Sequence, residues 1–193
     1  MAMADTMERI EVMSRGELRD WLARNHQQDR SVWLVTYKKS HPAYLAYEPI
    51  VEELISWGWI DSLTRKLDDD RSMLLIAPRN PASAWSALNK AHVDRARSNG
   101  SMTPAGEAKV AAAIENGMWN FLDDVERLEV PDDLARALAH GRGTTTWESW
   151  PRSVQRGTLE WIKMARTAPT RARRVAEAAG SASQGLRPTP FRR

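Results

Sequence analysis

The stretch YEPIVEELISWGWIDSLTRKLDDDRSMLLIA, residues 47–77, decides the fold class. Its first part repeats apolar residues at helical spacing, Ile50, Val51, Leu54 and Ile55. Glu48, Glu52 and Glu53 fall on the face expected to be wet, and Gly58 ends or bends the helix. After it the apolar pattern becomes strand-like. Residues 59–66 and 72–77 read as two strands joined through the acidic turn Asp68-Asp69-Asp70. A connection that short carries no crossover, so the expected pairing is antiparallel.

Working outward, SVWLVTYKK (31–39) reads as a further strand, apolar on both faces near its middle. Before it, Ser14 is placed to cap a helix with Leu18, Trp21 and Leu22 at helical spacing. Downstream, Asn80-Pro81 has the form of a helix start, with Trp85, Leu88, His92 and Ala96 sharing a face. Thr103-Pro104 repeats that signal for a helix running to Gly117, and a short helix is expected over Asn120–Glu126.

Beyond Pro131 the pattern is helical throughout. A helix from Pro131 to His140 is followed by a loop through Gly141 to Thr146, then a helix from Pro151 with Val154, Thr158, Trp161, Ile162 and Ala165 as its buried stripe. The last helix, Thr170–Ala179, turns Ala172, Val175, Ala176 and Ala179 inward. The expected fold is therefore α+β. A small antiparallel sheet with packed helices occupies 1–125, an all-helical region 126–180, and a disordered tail 181–193.

Nine tryptophans stand against three tyrosines and two phenylalanines. A buried aromatic removes roughly 150–250 Å² from water, so most are expected in the core. The absence of cysteine excludes disulfides, thiolate metal ligands and a cysteine nucleophile. No apolar run is long enough to span a membrane, and the N-terminus lacks the apolar segment of a secretion signal, so the expected location is the cytoplasm. The net charge of +3 is unevenly placed. Residues 1–130 hold 16 Lys/Arg against 20 Asp/Glu, whereas 131–193 hold 12 against 5. A basic C-terminal third admits nucleic acid or another polyanion as partner, with Arg171, Arg173 and Arg174 as the contact.

Asp61 follows large apolar residues at the edge of the expected core, where a carboxylate is costly unless paired. Arg65 and Arg79 are its expected partners. Either the group is a structural ion pair, or it is an anion-binding or general-base site walled by Trp59 and Trp85. Arg79 has the fork geometry for a carboxylate or phosphate, and stands just before the expected helix start. Asn89 is one turn from Trp85 and could orient a ligand. His26, His41, His92 and His140 lack metal-ligand spacing, so no metal is expected. Ser62 and Ser86 lack a nucleophile-elbow context, and the glycines form no phosphate-binding or dinucleotide pattern, so no cofactor is expected.

Four segments carry a family likeness: Trp33-Leu34 with Lys38 and Lys39; Gly58–Ser62 (GWIDS); Pro78-Arg79 through Ser83, Trp85-Ser86 and Asn89; and Gly100–Gly106 (GSMTPAG). With the C-terminal segment Trp161–Arg174 they resemble the YdeI/OmpD-associated, OmdA-like bacteriocin-protection family, over about Glu17 to Gly180. The chain departs from the family pattern at Ser56, in the apolar run Met73–Ile76, and at Arg166 and Pro169. The resemblance implies a role in antimicrobial or stress protection and specifies no reaction. The leading expectation is a non-enzymatic protein that sequesters a small amphipathic or anionic molecule or peptide. One alternative is a small cofactor-independent enzyme with Asp61 as acid/base and Arg79 as anion clamp. Another is a nucleic-acid-associated protein using the basic C-terminal helix. No membrane partner is expected.

Overall fold

The computed structural model describes residues 7–140 and 142–192. The chain divides into two compact units, Met1–Phe121 and Leu122–Arg193.

In the first unit, β1 (Arg9–Glu11), β2 (Val32–Tyr37), β3 (Trp59–Lys66) and β4 (Arg71–Pro78) form a sheet of order β1-β2-β4-β3. β2 with β4 and β4 with β3 are antiparallel, as the short turn requires. β1 runs parallel to β2, which makes the sheet mixed rather than antiparallel throughout. The connection from β1 to β2 passes through α1 (Arg15–Asn25), the crossover a parallel pair needs. Ser14 caps α1 by accepting from the Glu17 N–H.

Val32, Leu34, Leu74 and Ile76 face α1 and α2 (Tyr47–Ser56), where they pack with Leu18, Leu22, Ile50 and Leu54. Trp33, Val35 and Met73 form a second cluster on the other side of the sheet. α2 is covered on both flanks, because Val51 and Ile55 pack away from the sheet against Trp85, Val93, Val110 and Ala113. Glu52 and Glu53 consequently have no wet face to occupy, and both are buried. Arg15 Nη2 reaches Glu52 Oε1 at 2.7 Å, while Arg15 Nε and Arg19 Nη1 reach the two oxygens of Glu53 at 2.7 and 2.9 Å.

The helix expected at Asn80-Pro81 starts later, as α3 (Ala87–Ser98), with Ser86 as its cap. Asn80 Oδ1 instead accepts from the Ala82 N–H and closes a local turn. Trp85 thus precedes the helix and Leu88 points to solvent, while His92, Val93 and Ala96 form the buried face. α4 (Pro104–Glu115) is capped by Thr103, as its sequence indicates.

The second unit contains α5 (Asp123–Glu126), α6 (Asp132–Leu138), α7 (Gly143–Ser149), α8 (Arg152–Lys163) and α9 (Ala168–Ser183). α7 occupies the segment expected to be a loop, where burial of Trp147 overrides the weak helix propensity of three threonines. In α8 the stripe is Val154, Thr158, Leu159 and Ile162, with Trp161 at its edge. In α9 it is Val175, Ala178, Ala179 and Ala182, which leaves Ala172 and Ala176 exposed.

The tail expected to be disordered from 181 is ordered through 192. α9 continues to Ser183, and Thr189–Phe191 forms a 3-10 turn. Phe191 lies so close to Gly157 that a Cβ there would stand 2.7 Å from its ring. Of the nine tryptophans, Trp33, Trp59, Trp85, Trp147 and Trp150 are buried and the other four half-buried. No helix among the described residues is long and apolar enough to cross a membrane.

Candidate functional site

The three segments that follow β2 in the family likeness meet at the end of α2. Gly58, at φ +74°, turns the chain from that helix into β3, a conformation that glycine adopts without penalty. Thr103 Oγ1 donates to the Ser56 carbonyl at 2.6 Å and accepts from the Gly106 N–H at 3.3 Å. Gly106 permits this contact, since a Cβ on it would lie 2.8 Å from the Ile55 carbonyl oxygen. The Arg79 N–H donates to the Gly58 carbonyl at 2.9 Å, which ties in the end of β4.

A cleft of about 660 Å³ opens beside this junction. Its apolar wall is Trp57, Pro78, Pro104, Ala105 and Ala108, and its polar rim is His26, Gln27, Gln28, Asp29 and Lys109. The Trp57 ring stands 4.9 Å from the His26 ring and 5.8 Å from the Arg19 guanidinium.

Of the residues singled out from the sequence, Arg79, Trp85 and Asn89 come together. The Arg79 guanidinium lies 3.7 Å from the centre of the Trp85 ring, and its Nη2 donates to the Ala84 carbonyl at 2.7 Å and to Asn89 Oδ1 at 3.5 Å. Arg79 is 2% exposed, and among the described residues Nε and Nη1 have no hydrogen-bond acceptor. Burial pushes its pKa down to about 10, so it remains a cation at neutral pH. Stacking and one short hydrogen bond hold that charge, in a closed position rather than as an open anion clamp.

Asp61 pairs with neither arginine; its Oδ2 accepts from the Tyr47 hydroxyl at 2.7 Å. The cause is a bulge in β3. Asp61 stands opposite Ile76 and Thr64 opposite Leu74, so two residues of β3 face one of β4. That shift turns Arg65 to the opposite side of the sheet, 5.2 Å from the Trp33 ring. Trp59 is likewise separate from Trp85. It is 0% exposed between sheet and α1, edge-on to Trp21 at 5.5 Å, with its indole N–H donating to the His26 carbonyl at 3.1 Å. It belongs to the core and not to a ligand wall.

A smaller cleft of about 180 Å³ gathers Tyr37, Tyr44 and Tyr47, all the tyrosines in the chain, over Leu45, Ile50, Met73 and Leu74. Tyr47, desolvated and donating to Asp61, has its pKa pushed up to about 12. Neither cleft is evident from hydrophobic periodicity. The signals available were the crowding of three tyrosines within eleven residues, 37–47, and a tryptophan placed directly before Gly58.

In the second unit, Arg171 pairs with Asp133 at 2.7 Å, and Arg174 donates to the Trp161 carbonyl with its guanidinium 5.2 Å from that ring. Of the three expected polyanion contacts, Arg173 is exposed.

Residues 127–185 match the family model described as bacteriocin-protection, YdeI or OmpD-associated. Residues 10–109, just over half of the chain, match a second model described as a domain of unknown function (DUF8412). The chain belongs to the DUF8412 family, and the segment behind that match is similar to the YdeI/OmpD-associated family. The GWIDS and MTPAG segments thus fall in the DUF8412 part, and Trp161–Arg174 in the YdeI/OmpD-associated part. No curated protein and no solved structure matches the chain.

Proposed function

We propose that this DUF8412 protein is a non-enzymatic binding protein in antimicrobial protection, holding a small amphipathic molecule or peptide segment in the cleft beside Trp57. The observation that carries this reading is the convergence of three motif segments, around Gly58, Pro78 and Pro104, on one cleft of about 660 Å³. That volume lies within the roughly 300–1,000 Å³ of small-ligand sites. An apolar wall with His26, Asp29 and Lys109 on its rim suits a ligand with one greasy and one polar side. The bacteriocin-protection description of the C-terminal segment supports the protective role.

Calorimetric titration with anilinonaphthalene sulfonate, an amphipathic aromatic anion, tests the site. Ala108 is exposed on α4, so Ala108→Trp should fold normally and fill the cleft. The expected result is saturable binding to the native protein, lost in Ala108→Trp and weakened in Lys109→Gln. Unchanged binding by Ala108→Trp would show that this cleft is not the site.

A further inference from the structure

We propose that the tyrosine cleft is a second binding site, built for an alkylated ammonium group such as the trimethylammonium head of a small soluble amine. Ring faces attract cations through their quadrupole, and cages of aromatic rings are how proteins hold quaternary ammonium groups. Tyr44 and Tyr47 are 43% and 52% exposed, so their rings are open to a ligand.

Two of the three phenols are hydrogen-bonded to carboxylates: Tyr47 donates to Asp61 at 2.7 Å and Tyr37 to Glu11 at 2.5 Å. These bonds fix the rings before a ligand arrives. They also draw the phenolic proton toward an anion, which leaves more electron density on the ring. Tyr37 is further held by stacking on His41, with centroids 4.0 Å apart.

Charge favours a cation over an anion or a neutral ring. Glu11 is matched by Arg71 at 2.9 Å, and Arg71 is shared with Asp68 at 2.7 Å. Lys38 lines the cleft, but its Nζ is committed to the carbonyls of Asp68 and Asp69, at 2.7 Å each. Among the described residues, Asp61 has no Lys or Arg within ion-pair distance; its partner is the neutral Tyr47 phenol. An unanswered carboxylate therefore stands behind the aromatic rim.

Size and floor narrow the ligand further. About 180 Å³ is too small for a whole drug-sized molecule and suits a single head group. Leu45, Ile50, Met73 and Leu74 form an apolar floor, and the hydroxyls of Thr36, Thr64 and Ser72 beside it replace only part of the water shell of a compact ammonium. A weakly hydrated alkylated ammonium loses little on entering.

The test compares choline with 3,3-dimethylbutan-1-ol, its uncharged isostere, by calorimetry on the full chain at low salt. Choline should bind at least about fivefold more tightly than the alcohol. Tyr44→Leu should abolish choline binding, and Asp61→Asn should erase most of the preference over the alcohol. Equal affinities, no detectable choline binding at millimolar concentration, or full retention in Tyr44→Leu would each overturn the proposal. Co-sedimentation with phosphatidylcholine vesicles but not phosphatidylglycerol vesicles would assign the ammonium to a lipid head group rather than to a free amine. The anilinonaphthalene sulfonate titration reads the other cleft, so the two proposals fail separately.

Discussion

Arg15 reaches both Glu52 and Glu53 from α1, and Asn99 adds a hydrogen bond to Glu52 at 2.6 Å, so the central helix carries two carboxylates into the interior with partners waiting. Burial works to raise the Glu52 carboxyl, yet the bonds from Arg15 and Asn99 outweigh it and hold it below its ordinary value. Its stabilising contribution is therefore complete above about pH 4.5 and lost as the pH falls further. His92 behaves alike in a higher window. Burial, reinforced by the like charge of Arg95, holds its imidazole below the ordinary 6.5, so the fold prefers the neutral ring. That contribution is complete above about pH 6.5 and lost below it. Thermal melts from about pH 8 to pH 4 should show stability falling in two stages, and His92→Gln should remove the first. If the variant still loses stability between about pH 6.5 and 5 as the parent does, His92 is not the cause. These residues also mark where pattern reading stops. Helical periodicity sorts a face as apolar or polar but cannot tell that both flanks are covered, so the pattern alone places Glu52 and Glu53 in water. The separation of Asp61 from Arg65 depends on a bulge that no residue type announces.

α1, α2, α4 and the strands β2, β3 and β4 were legible because local chemistry and burial agree on them. Ser14 and Thr103 cap helices whose inward residues keep helical spacing, and the Asp68–Asp70 turn leaves β3 and β4 no other partner arrangement. β1 was invisible for the opposite reason: with three residues and one buried side chain, Ile10, it has no period to read. Asn80-Pro81 misled because asparagine before proline also closes a turn. The contact between α2 and α4 rests on an absent side chain. Gly106→Ala would press a methyl group against the Ile55 carbonyl and should destabilise by about 1–3 kcal/mol, the ordinary cost of overpacking. Gly180, inside α9 with no described residue within 4 Å of its missing Cβ, is the counterpart. Gly180→Ala should stabilise by about 0.5–1 kcal/mol through helix propensity alone. Urea unfolding of both variants checks the contrast; equal effects would mean that the close approach at Gly106 carries no weight.

At the scale of the whole chain, where the units divide changes the reading of charge and of the C-terminus. Counting from Leu122 instead of Pro131 adds Asp123, Asp124, Glu126, Glu129 and Arg127 to the basic region, which lowers its net charge from +7 to +4. Several of these acids answer its cations: Lys163 meets Asp124 at 2.6 Å, and Arg156 meets Glu126 at 2.7 Å. The polyanion reading loses support accordingly, because arginines that looked surplus in sequence are internal partners in three dimensions. The C-terminus changes in the same way. Its composition of serine, glycine, proline and arginine suggested a tail without contacts, yet Ser181, Ala182 and Pro188 are buried and Phe191 covers Gly157 of α8. Arg192 Nη2 donates to Ser181 Oγ at 3.3 Å, which closes the segment back onto α9. Burial of a few small side chains and part of a phenylalanine is worth about 2–4 kcal/mol at 25 cal/mol per Å². In a unit of this size, 1 kcal/mol moves the melting temperature by about 4–8 °C. Truncation after Gly180 should therefore lower the melting temperature of the C-terminal unit by about 10 °C or more in scanning calorimetry. Phe191→Ala should reproduce part of the drop without shortening the chain. A truncated protein that melts with the parent would show that the last turn contributes nothing to the unit it lies against.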